Sequence, residues 1–163
     1  MKQDRYLTVV LAVIILLAAL AIVVFFIRQG SQGYAAEDTP EGVLHNYVLA
    51  LQQNEYQRAY GYLKEAENKP GFSDFHQELL NQSYSLDETA VKVVEVDQFE
   101  EQVLITLTLL HNSGDPFNSG WREQSSATLI QQDGAWKISY MPYPYWGWSW
   151  YTDKYPEPIE ARP

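Results

Sequence analysis

The hydrophobic period of this chain changes once, near Asp87, and that change limits the fold more than any other feature of its 163 residues. Upstream, apolar residues recur at the spacing of an α-helix. Downstream they alternate, as along a strand with one buried face. Helices first and strands after predict an α+β domain, with about three helices packed on a curved antiparallel sheet of about four strands.

The helical block opens on a strong start signal. In TPEGVLHNYVLALQQNEYQRAYGYL, residues 39–63, Thr39 offers a side-chain oxygen for an N-cap. Pro40 stands where its missing N–H costs nothing, and Glu41 faces the positive end of the helix dipole. Val43, Leu44, Tyr47, Val48 and Leu51 then form one apolar stripe, while Asn46, Gln52 and Gln53 fall elsewhere. After Asn54, a second stripe begins with Tyr56, Ala59, Tyr60 and Leu63, so the stretch predicts a helix, a corner and a second helix. Pro70-Gly71 marks a turn, and Ser73 caps an expected third helix near residues 74–82, with Phe75, Leu79 and Leu80 on one side.

In the alternating block, residues 89–96 are Val-rich, and residues 102–110 set Val103, Ile105, Leu107 and Leu109 against Thr106 and Thr108. Glu95, Asp97, Glu100 and Glu101 gather near the hairpin turn expected between these strands, where solvation accounts for them. The run NSGDPFNSG, residues 112–120, predicts a long connection that overhangs a pocket mouth. Residues 121–131 return as a strand. Asp133-Gly134 is a two-residue hairpin signal, and residues 135–141 complete the hairpin with Trp136, Ile138 and Tyr140 on one face.

Before this domain, Tyr6 to Ile27 is an uncharged run of about 22 residues, long enough at about 1.5 Å per residue to cross a hydrocarbon core of about 30 Å. It exceeds the apolar region of a cleaved signal peptide, so residues 1–28 are expected to be a retained transmembrane signal anchor. Lys2 and Arg5 precede the run, which places the N-terminus in the cytoplasm and the remainder in an extracytoplasmic position. Residues 29–38, rich in Gly, Ser and Gln, read as a tether; residues 39–141 as the folded domain; residues 142–163 as an aromatic and Pro-rich tail.

Charge and composition remove several classes. Setting aside Asp4 on one side and Lys2, Arg5 and Arg28 on the other leaves 20 acidic against 8 basic residues, which excludes a nucleic-acid partner because no basic patch exists to displace counterions. There is no Cys, hence no disulfide, thiolate metal site or Cys nucleophile. His45, His76 and His111 lie far apart without metal-ligand spacing, and no GxxxxGK, GxSxG or HExxH occurs. No catalytic, cofactor-binding or metal-binding residue is expected. His45 reads as a surface residue, and His111, beside the long connection, as the best placed of the three at a pocket mouth.

The 39–63 run, the NSGDPFNSG loop and the terminal hairpin QQDGAWKISY together resemble the nuclear-transport-factor-two-like superfamily, the cone-shaped fold of ketosteroid isomerase and scytalone dehydratase. More narrowly they resemble its small, membrane-tethered bacterial members. The resemblance covers roughly residues 39–141 and implies helices closing a cone over a curved sheet. Enzymes of that superfamily place a carboxylate or His inside the cone, and no matching Asp–His pair stands out here. Tyr47, Tyr56, Tyr60 and Tyr62 would either line such a cavity, suiting an uncharged or cationic small ligand, or simply pack.

The densest aromatic stretch comes last. PYPYWGWSWY, residues 142–151, carries Tyr143, Tyr145, Trp146, Trp148, Trp150 and Tyr151, and an extended conformation would put the three indoles on one face. Such a stripe can be buried on its own domain, docked on another protein, laid in the headgroup layer or used to stack on sugars. These six residues are the candidate partner-docking surface. The sequence therefore points to a non-enzymatic, single-span membrane protein whose extracytoplasmic domain docks a protein partner, as an accessory subunit of a membrane or envelope complex. The alternative is an isomerase- or dehydratase-like enzyme, or a binder of a small apolar ligand, using the cone cavity.

Overall fold

The computed structural model describes residues 9–11, 13–17, 20, 33–112 and 120–152. The chain divides into two compact units, Met1–Gly33 and Tyr34–Pro163. In the first, the described residues between 9 and 20 are helical and exposed. The expected span over residues 6–27 lies largely outside them, and among the described residues no helix is long and apolar enough to cross a membrane. Residues 113–119 of the connection expected to overhang a pocket mouth, and the end of the tail from residue 153, also lie outside them.

The second unit runs α1 (Pro40–Gln52), α2 (Tyr56–Gly61), α3 (Phe72–Asn81), α4 (Ser83–Glu88), β1 (Thr89–Phe99), β2 (Gln102–His111), β3 (Trp121–Gln132) and β4 (Ala135–Tyr140). The switch near Asp87 is thus the joint between the last helix and the first strand. Four helices stand where about three were expected, because Gln82 ends α3 and a further short turn of helix, α4, leads directly into β1. The start of α1 is as its sequence dictates: the Gly42 amide donates to Thr39 Oγ1 at 3.1 Å, with Pro40 in the first turn.

The four strands form one antiparallel sheet in the order β1-β2-β3-β4. Val103, Ile105, Leu107 and Leu109 of β2 are fully or almost fully buried, as are Ala127 and Leu129 of β3 and Ile138 of β4. Cross-strand partners share a face, so Leu107 against Ser125 and Leu109 against Glu123 place two polar residues of β3 on this inner face, beyond the apolar floor. Asp133 and Gly134 both have positive φ, at 53° and 77°, the backbone that a tight two-residue hairpin demands. In β4, Ile138 is buried but Trp136 is half-buried and Tyr140 exposed, so the expected single face does not hold. The register shifts between Thr128 and Leu129, and Tyr140 lies beyond that irregularity.

The outer edge of β4 is covered by the chain leaving α2. Leu63 bridges Ile138, the Lys64 amide donates to the Ile138 carbonyl at 2.9 Å, and the Ile138 amide donates to the Tyr62 carbonyl at 2.8 Å. α1 is buried on almost every side rather than along one stripe, including Asn46. The cause is the segment read as tether. From Tyr34 onward it belongs to the domain: Asn46 takes the Ala35 amide at 2.7 Å and donates to the Ala35 carbonyl at 2.9 Å, Tyr34 donates to Glu55 at 2.7 Å, and Arg58 lies over the Tyr34 ring.

Candidate functional site

The interior of the domain is closed by its own tyrosines. Tyr145, which no strand or helix contains, is fully buried. Its hydroxyl donates to the Thr89 carbonyl at 2.5 Å, and its carbonyl accepts from the Tyr47 hydroxyl at 2.7 Å. Burial pushes the phenols of Tyr47 and Tyr145 well above their ordinary range, since a phenolate there would lose its hydration. Three further tyrosines also spend their hydroxyls on the fold, Tyr60 on the Pro70 carbonyl, Tyr62 on Glu37 and Tyr56 on Asn54. The packing reading of these residues is the observed one.

The segment from Tyr143 to Tyr151 is a succession of turns and not an extended strand, so its three indoles do not share a face. Trp146 and Trp150 sit in the core cluster, edge to face at 5.1 Å; Trp150 also stacks on Phe75 at 4.9 Å and Trp146 on Tyr151 at 5.5 Å. Tyr151 is half-buried, its hydroxyl given to the Lys64 carbonyl at 2.6 Å. Only Trp148, 83% exposed, and Tyr143, 47% exposed, face outward. Of the six candidate docking residues, the structure therefore places four within the domain and leaves two at its surface.

The turn that presents Trp148 is held by α3. Glu78 accepts the Trp148 amide at 2.9 Å and the Ser149 hydroxyl at 3.5 Å. Gly147 permits this approach, because a Cβ there would collide with both the Trp150 indole and the Glu78 carboxylate. On the other side, Tyr143 meets Ser85 of α4, hydroxyl to hydroxyl, at 3.0 Å.

Between this turn and the sheet opens a pocket of about 570 Å³. Tyr140, Tyr143, Trp146, Trp148 and Trp150 supply its aromatic wall, and Glu123 and Ser125 of β3 supply its polar one. Neither polar residue was legible as a site residue in the sequence. They enter because the β2–β3 register carries the inner face past the apolar floor. The same register sets His111 opposite Trp121, and their rings stack at 3.9 Å. His111 is held through Nδ1, which meets the Thr89 hydroxyl at 3.1 Å, and its Nε2 lies 3.5 Å from Glu123 without a hydrogen bond to it. His45 is exposed on α1, and His76 packs between Tyr56 and Phe72. Among the described residues no group of His, Asp and Glu is arranged to hold a metal ion.

No family model matches the chain, and no curated protein matches it. Among solved structures it is similar to a Campylobacter jejuni protein described as an NTF2-like transpeptidase, at 15% identity and a TM-score of 0.44, over 63% of this chain and 99% of that one. It is also similar to an NTF2-like protein of unknown function from Cytophaga hutchinsonii, at 13% identity and a TM-score of 0.39, over 62% and 84%. A SEC-C motif containing protein from Rhodopseudomonas palustris shares 12% identity at a TM-score of 0.46, over 65% and 79%.

Proposed function

We propose that this chain is a single-span membrane protein whose acidic extracytoplasmic domain is a binding module, not a catalyst, and serves as an accessory subunit of a membrane or envelope complex. The apolar run over residues 6–27, preceded by Lys2 and Arg5, supports the anchor and its orientation. The observation that carries the binding reading is the division of the aromatic segment. Tyr145 is buried in the interior, bonded to Tyr47 of α1 and to Thr89 of β1, while Trp148 is held out in water on a turn that Glu78 ties down. A large indole kept exposed on a braced turn is the usual anchor of an interface, because it offers wide contact area at small rotamer cost.

The test is crosslinking in intact cells followed by capture of the full-length chain, wild type against Trp148→Ser. Loss of the captured partner, with the protein still folded and membrane-bound, is the expected result. A partner retained at wild-type yield overturns the docking role. The second reading, an isomerase- or dehydratase-like enzyme, draws on Glu123 in the pocket wall with His111 behind it.

A further inference from the structure

The pocket beside Trp148 combines two features that select one ligand class. Its wall is built from five aromatic residues, of which Tyr140, Tyr143 and Trp148 are exposed and Trp146 and Trp150 buried. Its charged lining residue, among those described, is Glu123, and no Lys or Arg lines it. Aromatic faces carry negative charge density and attract cations, most effectively where water is partly displaced. A carboxylate at the same wall fixes the sign of the ligand, and a second carboxylate, Glu78, lies just behind the Trp148 turn.

We infer that this pocket binds a small organic cation of the quaternary ammonium type. The inference goes beyond the protein-docking reading above and stands on the lining of the pocket itself. A primary ammonium brings three N–H donors that each need an acceptor. The described lining offers Glu123, the Ser125 hydroxyl and phenol oxygens, and the Tyr143 hydroxyl already meets Ser85. An alkylated ammonium has no donor to satisfy and presents methyl groups to the aromatic wall, so it gains the electrostatic attraction without an unpaired polar group. The volume, about 570 Å³, lies within the ordinary range for small-molecule sites. The surplus of 20 acidic over 8 basic residues beyond residue 28 adds long-range attraction for a cation and repels anionic competitors.

The experiment titrates the full-length chain, in an uncharged maltoside detergent that carries no cation of its own, with choline, tetramethylammonium and 3,3-dimethylbutan-1-ol, the neutral isostere of choline. Indole signals and tryptophan fluorescence report occupancy. Choline and tetramethylammonium are expected to saturate, with the neutral isostere weaker by about tenfold or more. Glu123→Gln is expected to weaken choline binding while leaving the isostere unchanged, and Trp148→Ala to weaken it by about tenfold. Trp136→Phe, at a residue that does not line this pocket, is expected to bind as wild type. Equal affinity for choline and its isostere, or no saturation by either cation in the millimolar range, overturns the inference. Failure here with the crosslinked partner still lost in Trp148→Ser would remove the cation alone; cation binding with the partner retained would remove the protein-docking role alone.

Discussion

Tyr145 and Trp148 stand three residues apart on the same run of turns and are both large aromatics, yet Tyr145 is fully buried and Trp148 is 83% exposed. What separates them is their partners. Tyr145 has two buried hydrogen bonds waiting for it, from Tyr47 on α1 and to Thr89 at the start of β1. Trp148 is tied through its backbone amide, to Glu78, which fixes the position of the residue without covering its ring. A cluster of aromatics in a sequence is therefore not one feature. Here it is a plug and a projection, and the polar groups around each side chain decide which.

The plug gives the largest expected effect. Tyr145→Ala removes a fully buried aromatic and leaves the Thr89 carbonyl without its partner, so the domain should lose about 3–5 kcal/mol, read as a lower denaturant midpoint. Such a loss is a large share of the stability of an ordinary domain, so unfolding at ambient temperature is within the expected range. A midpoint within experimental error of wild type would show that the segment is not docked as described, and the contrast with Trp148 would dissolve.

This division was only partly legible in the sequence. The change of period at Asp87, the Thr39-Pro40-Glu41 start and the Asp133-Gly134 turn are local instructions, and each produced the element it predicts. Residues 142–151 carry no such local instruction. Alternating indoles would share a face only in an extended chain, and contacts with Glu78, Phe75 and Tyr47, all distant in sequence, bend the segment into turns instead. Glu123 was illegible for a related reason. Its place on the inner face depends on the register of β3 against β2, set across a long connection whose length the alternation of β3 does not encode. His111 was the best placed of the three histidines on sequence grounds, but the carboxylate it lies beside could not be named without that register.

A smaller and more gradual effect follows from pH. Burial raises the phenols of Tyr47 and Tyr145 above their ordinary value of 10.0, so in the folded state they keep protons that the unfolded chain gives up. Their contribution is fully present below about pH 10 and is lost as pH rises from there toward the folded values, because the folded state then binds more protons than the unfolded one. Urea midpoints taken from about pH 9 to about pH 11 should fall, and Tyr145→Phe should flatten the slope. An unchanged slope in that variant would mean that water reaches the Tyr145 hydroxyl, and the plug would be looser than its two hydrogen bonds imply.

The projection gives the smallest effect on stability, and that smallness is what the comparison requires. Trp148 contributes little buried area, and the bond that holds its turn uses the main-chain amide, which any residue other than proline supplies. Trp148→Ser should therefore change the denaturant midpoint by no more than the equivalent of about 0.5 kcal/mol, the usual range for a surface position. Glu78→Gln keeps an acceptor for the amide but gives up the charge, and should cost about as little while loosening the turn. If Trp148→Ser instead destabilises the domain as Tyr145→Ala does, the indole is covered in the folded protein. In that case its side chain belongs to the core with those of Trp146 and Trp150, and neither a partner nor a cation could use it as a surface.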